Sequence, residues 1–310
     1  MTFGLDHAVV WFRNCGEVRV ARDPKIEVAG INIRIPESHD RDYTALITEL
    51  ADLRKGVKIR GETFLAISYW SEQERIGVFS KYTEIDVDGQ WFDLDDFDAA
   101  SSEMLEEVRI PANLKPNLSQ FFFALEPDLH VIAFEAYADS KGLSARSVER
   151  YFSEALKSPS IVSRFGRVES DAVKSYGEIE RILSLPDLKE LRLTIRRPNS
   201  DDVGGRLARI IEERLKENGG DEYEEVYKAK GSHNLSPSER TRELALVAGE
   251  NGQVKGRSLV NGVMTDTDTN DRPLIETTTF KSDEPGLPIF VRVAKSLFSR
   301  IHAMRVALRG

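Results

Sequence analysis

The sequence predicts an α+β protein with antiparallel sheet or sheets, inserted amphipathic helices and a long C-terminal helix. Three observations carry that expectation. Residues 64–82 and 118–137 each read as two β-rich segments around a short polar connection, the pattern of a hairpin. After Gly142 the apolar period changes to steps of three and four. Near the end, Phe290, Val293, Leu297, Ile301, Met304 and Leu308 keep one apolar stripe on a helix.

In chain order, Ala8 to Arg13 and Ile31 to Ile35 read as strands and Asp42 to Leu53 as a short helix. Phe64 to Trp70 and Arg75 to Tyr82 flank the polar Ser71-Glu72-Gln73-Glu74. Leu118 to Leu125 and Leu129 to Tyr137 flank Glu126-Pro127-Asp128, and their aromatic content assigns them to the sheet centre. Val148, Tyr151, Phe152, Ala155 and Leu156 share one helix face behind Ser144 and Ser147, both competent N-caps. A weaker helix spans 173–183 and stops before Pro186. Leu191, Leu193 and Ile195 alternate with Arg192, Thr194 and Arg196, a half-buried strand halted by Pro198.

Asn199-Ser200-Asp201-Asp202 offers caps to a helix with Leu207, Ile210, Ile211 and Leu215 on its apolar face, ended by Gly219-Gly220. Tyr223 to Lys228 reads as a strand and Ser236 to Ala248 as a helix opening with Ser236-Pro237. Asn251-Gly252 and Asn261-Gly262 are turn dipeptides bracketing Val254 to Val260, and Leu274 to Lys281 is a further strand. A strand-rich part (residues 1–140) precedes a mixed part (141–310), with no linker sharp enough to mark a boundary.

With 310 residues, 40% hydrophobic and 31% charged, the chain can bury a core, which excludes disorder and collagen. Its single cysteine, Cys15, can form no internal disulfide, and the expectation is cytoplasmic. No run reaches the ~18 to 20 apolar residues of a membrane span. Asp6, Arg13, Glu17 and Arg19 occupy the place of a secretory signal's apolar stretch. The net charge of −9 argues against an acidic partner, yet residues 84–107 hold ten carboxylates and no base, so the other 286 residues carry +1. This acidic segment reads as a solvated loop that mimics nucleic acid or occludes a basic surface of a partner subunit. A carboxylate cluster for a divalent metal, using Asp93, Asp95, Asp96 and Asp98, is the alternative.

Known motifs are missing. The stretch from Asp266 opens like a calcium loop but has Asp271 at its sixth position and Thr277 at its twelfth. His7, His39, His130, His233 and His302 show no metal spacing, and no nucleophile elbow, P-loop or dinucleotide fingerprint is present. Gly204-Gly205 lacks the lysine of a phosphate loop. No catalytic residue, cofactor or metal ligand is assigned.

The bases are more informative. Arg192 and Arg196 point away from the leucines of their strand, and Arg197 follows. Lys228 and Lys230 share a Gly-flanked loop with His233, while Lys255 and Arg257 flank the Asn251-Gly252 dipeptide. On the terminal helix Arg292, Lys295, His302, Arg305 and Arg309 lie within about 140° of arc. The last 26 residues carry +5. Such a set can track phosphates; the helix could instead pack on its own core with a solvated cationic side, or lie on a membrane surface.

Ser119-Gln120-Phe121-Phe122-Phe123, an acidic turn, Ile132-Ala133-Phe134-Glu135 and a Ser-led helix ending near Leu156 form a recognisable order. It continues through Leu191 to Arg197 with Pro198-Asn199, and through Asn251-Gly252-Gln253-Val254. Over roughly residues 60–308 this resembles the RexA exclusion family of phage lambda and an uncharacterised family of prophages and defence islands. The resemblance implies a homodimer that binds double-stranded DNA without sequence preference in phage exclusion, an antiviral defence. It further implies a fold like that of the recombination regulator RdgC, whose dimer surrounds DNA, and a second phage-defence protein as a candidate partner. It brings no enzymatic residues. The acidic 84–107 segment and the negative total depart from it, and a basic groove would reconcile them.

The expected DNA contacts are Arg192, Arg196, Arg197, Lys228, Lys230, Lys255, Arg257, Lys295 and Arg305. A metal-dependent nuclease-like effector using the 93–98 carboxylates, and a protein-interaction sensor of phage infection, are the alternatives.

Overall fold

A computed structural model describes residues 24–36, 38–87, 89–107, 110–196, 206–281 and 283–309. The chain opens with β1 (Lys25–Arg34), α1 (Tyr43–Asp52), β2 (Val57–Arg60), β3 (Thr63–Ser71), β4 (Ile76–Thr83), β5 (Phe92–Asp93), β6 (Asp98–Ala99), α2 (Ser102–Glu107), β7 (Ser119–Glu126), β8 (Val131–Ala138) and β9 (Lys141–Gly142). It continues with α3 (Ala145–Ala155), α4 (Pro159–Phe165), β10 (Glu169–Ala172), α5 (Tyr176–Leu183), β11 (Leu188–Arg196) and α6 (Arg206–Glu217). Then come β12 (Glu222–Lys228), α7 (Glu239–Glu250), β13 (Gly252–Val260), β14 (Val263–Asp268), β15 (Ile275–Thr279) and α8 (Gly286–Arg309). This is the expected α+β class, with antiparallel sheets and a long terminal helix.

The larger, nine-stranded sheet runs β10-β1-β8-β7-β4-β3-β2, with β15 joined to β1 and β9 to β8. β1 is its spine. β8 pairs along one edge of it, while β15 (at residues 25–29) and β10 (at 31–34) share the other edge end to end. A strand so enclosed buries both faces, which explains its near-continuous apolar run.

Strand alternation divides the side chains between two cores. Ile31, Ile33, Ile132 and Phe134 face α1, α3 and α4, whereas Ile26, Val28, Val131 and Ala133 face α8. In the first core Phe79 is fully buried, with ring centroids 4.4 Å from Phe123 and 5.8 Å from Tyr151. In the second, Phe290, Val293, Leu297 and Ile301 of α8 lie against the sheet.

The smaller sheet, β12-β11-β13-β14, covers its inner face with α5, α6 and α7 through Leu191, Leu193, Ile195 and Val254. Its outer face is open. The chain returns to the larger sheet through β15 and α8, so residue 140 does not separate cores; the smaller sheet is an insertion between β10 and β15. Among the described residues no helix is long and apolar enough to cross a membrane.

Both hairpins form where expected, and Ser144 caps α3 by accepting from the Ser147 N–H. Three details differ. The helix assigned to 236–248 starts at Glu239, because Ser238 provides the cap by accepting from the Thr241 N–H. Asn251-Gly252 makes no turn: Asn251 ends α7 and Gly252 begins β13, where a Cβ would stand 2.0 Å from the Thr194 carbonyl oxygen. That glycine serves close backbone approach. Within 84–107, β5 and β6 form a short ribbon followed by α2, so the segment is not a plain loop. Ala8 to Arg13, Cys15, the 199–202 caps, Arg197 and Gly204-Gly205 lie outside the described residues.

Candidate nucleic-acid interface

The outer face of the small sheet collects Arg192, Arg196, Lys228, Lys255 and Arg257 around a hollow of about 730 Å³. Strand register sets an acid beside each base. Lys255 stands opposite Asp268 at 3.4 Å, Arg257 opposite Asp266 at 2.6 Å, and Lys228 opposite Glu190 at 3.9 Å. Arg192 donates to Glu224 at 2.8 Å, and Arg196 to Asp171 at 2.6 Å. Five bases meet six acids in the lining, which leaves no positive excess for a phosphate. Apart from Arg196–Asp171, which reaches β10, these are cross-strand pairs that hold the sheet. The strip expected to track DNA is therefore charge-compensated.

The other expected contacts are scattered. Lys230 is exposed in the turn after β12, and Lys295 is exposed on α8, across the larger sheet from α3. Arg305 is buried: it donates to the Leu129 carbonyl oxygen at 2.6 Å and to Asn32 Oδ1 at 3.2 Å, and lies 3.8 Å from Glu250. It fastens α8 to β1 and to the turn before β8, and so cannot meet a phosphate. The α8 bases thus do not form one cationic stripe. Among the described residues no acid lies within ion-pair distance of Lys230 or Lys295.

A second concavity, of about 1000 Å³, lies between α3, the turn after β2, and β10. Residues 146, 149, 150 and 153 follow the 3.6-residue period on the side of α3 opposite Val148, Tyr151 and Phe152, and Lys157 stands in the turn after it. Arg146 and Arg150 therefore wall the cleft, joined by Lys157 after α3, by Arg60 at the end of β2 and by Arg167 before β10. Arg196 lines both hollows.

The cleft floor is a buried charge network. Arg34 pairs with Asp171 and, at 3.2 Å, with Glu169; Arg196 takes the other Asp171 oxygen. Glu149 accepts the Ala172 N–H, and Lys174 donates to the Gly252 carbonyl oxygen. Burial pushes the Glu149 carboxyl above its ordinary range and the Lys174 ammonium below its own. Burial also opposes ionised Asp171, but Arg34, Lys174 and Arg196 outweigh it and hold that carboxyl low. Three acids thus face three bases and the floor is neutral.

The wall is not. Lys157 is tied to Glu154 at 2.7 Å and Arg167 to Asp221 at 2.9 Å. Among the described residues no acid lies within ion-pair distance of Arg60, Arg146 or Arg150. Arg60, Arg146 and Arg150 thus leave an excess of positive charge above a neutral floor, although Arg150 also acts through space on Glu154. Sequence reading missed it, although the spacing 146, 150 and 157 was visible beside the apolar stripe it did use.

A family model describing a domain of unknown function matches residues 24–295. The chain belongs to that family, DUF4747. No curated protein matches it. The DUF4747 match spans both sheets and the first part of α8, so the cleft and the charged sheet face lie within the family's domain.

Among the described residues no group of three or more His, Cys, Asp or Glu is placed to hold a metal ion. Asp95, Asp96 and Asp98 are exposed on the β5–β6 ribbon, and the nuclease-like reading finds no ligand set there. His130 lies not on a strand but in the turn before β8, stacked on Tyr43 at 4.3 Å.

Proposed function

We propose that this DUF4747 chain binds double-stranded DNA through its phosphates, without reading bases, along the cleft between α3 and β10. The observation that carries the reading is the excess of Arg60, Arg146 and Arg150 over a neutral floor. Arg146 and Arg150 stand one helical turn apart, a rise of about 6 Å, close to two nucleotide steps of about 3.4 Å on one strand. None of the described lining residues is aromatic, so the cleft offers no platform for stacking unpaired bases, which favours a duplex over a single strand.

Arg196 stays at the edge of this interface, while Arg192, Lys228, Lys255 and Arg257 serve the sheet. The resemblance to RexA exclusion proteins supports a role in phage exclusion, with a second phage-defence protein as a candidate partner. Fluorescence anisotropy with labelled duplexes of unrelated sequence tests the reading. Affinities should agree between sequences and fall with salt; absence of binding at about 50 mM salt would overturn it.

A further inference from the structure

The acidic segment finds no role in the cleft of its own chain. It leaves β4 at Thr83 and returns at Ser119, at the sheet end that carries the turn after β2. There the Glu84 N–H donates to the Glu62 carbonyl oxygen at 2.8 Å and Lys115 pairs with Glu84 at 2.6 Å. Arg60 at the end of β2 and Gly61 of that same turn line the cleft. Beyond this root the β5–β6 ribbon is closed by its own contacts: the Ala100 N–H donates to the Trp91 carbonyl oxygen at 2.8 Å, and the Phe92 and Phe97 rings meet edge to face at 5.1 Å.

Its outward surface is unusual. Phe92, Leu94 and Phe97 are 57%, 79% and 78% exposed. Between them Asp93, Asp95, Asp96 and Asp98 have no base within ion-pair distance among the described residues. An apolar tip ringed by unpaired carboxylates suits a partner with the opposite pattern. The cleft offers the complement in charge and a small apolar contact: among the described residues no acid is within ion-pair distance of Arg60, Arg146 or Arg150, and Val162 is 43% exposed, while Ile59, Leu156 and Val168 are buried.

We infer that the β5–β6 ribbon of one copy docks in the α3–β10 cleft of a second copy, and reciprocally, giving a closed twofold dimer. The ribbon's root and the Arg60–Gly61 edge of the cleft share one end of the larger sheet, while the β10 wall pairs with the other end of β1. The dimer contact would compete with DNA for the same arginines. It does not require that DNA bind, and the test below contains none, so either idea can fail alone.

Sedimentation velocity on the full chain should show a dimer at about 50 mM salt that dissociates toward about 500 mM, where the screening length is several-fold shorter. Asp93→Lys/Asp95→Lys/Asp96→Lys and Arg146→Glu/Arg150→Glu should each sediment as monomers, at half the dimer mass. Mixing the two reversed variants should restore a one-to-one dimer, which also shows that both are folded. A monomeric wild-type chain at low salt, reversed variants that still dimerise, or a mixture that stays monomeric would each overturn the inference.

Discussion

Replacing Arg146 and Arg150 together with alanine should flatten the salt dependence of duplex binding. Three uncompensated arginines give a lower count of neutralised phosphates; Lys157 and Arg167, released from surface acids, raise it to five. At about −0.9 per phosphate, the logarithmic slope should lie between about −2.7 and −4.5, so affinity falls roughly 40- to 500-fold from about 50 to about 200 mM salt. The double variant should lose about 1.8 from that slope. Both side chains are exposed on α3, opposite Val148, Tyr151 and Phe152, so the fold should survive. The control is Arg192→Ala/Arg257→Ala, which removes bases already matched by Glu224 and Asp266 and should leave the slope unchanged. Anisotropy titrations at four or more salt concentrations measure it. A slope lowered by the sheet-face variant and kept by the α3 variant would refute the accounting.

Gly252→Ala should destabilise the small sheet beyond the usual strand effect, since the new Cβ meets the Thr194 carbonyl oxygen at 2.0 Å; urea denaturation should show a loss of about 2 kcal/mol or more. Arg34→Met strips a buried partner from Asp171 and Glu169, and should cost about 3 to 5 kcal/mol in the same assay. Because the folded state raises the Glu149 carboxyl, the fold holds its proton more tightly than the unfolded chain does. Glu149 therefore makes stability decline as pH rises from the ordinary glutamate value, about 4.3, through the raised one. Asp171, whose carboxyl is held low, acts with opposite sign below about 3.9, and is common to wild type and variant. Denaturation midpoints across that range should decline less in Glu149→Gln than in wild type; parallel curves would contradict the assignment.

The fold was largely legible in the sequence because its signals are local. Strand alternation, the Ser144 cap and the apolar stripe of α8 need only residues a few positions apart, and each stands in the structure. The short elements were not legible. β2 and β10 are four residues each, too brief for a period, and β10 exists because β1 leaves half an edge open beyond β15. Gly252 was misread for a similar reason: Asn-Gly is ambiguous until the distance to Thr194, 58 positions earlier, is known.

The charges follow the same division between local and distant information. Alternation shows that Arg192 and Arg196 leave the leucine face, yet only the register with β12 shows that Glu224 and Glu222 await them, and only the packing against β10 shows Asp171. A period-2 count can assign a face but not a neighbour across the strand. On α3 the relevant neighbours are one turn away, so the pair Arg146 and Arg150 needs no tertiary knowledge; what hides it is the richer run of bases elsewhere. Formal charge is thus a poor guide to where an anion binds. A base matched by register contributes little field, so in a chain whose total is −9 the proposed anion site rests on three arginines outside ion-pair distance of any described acid rather than on five matched bases.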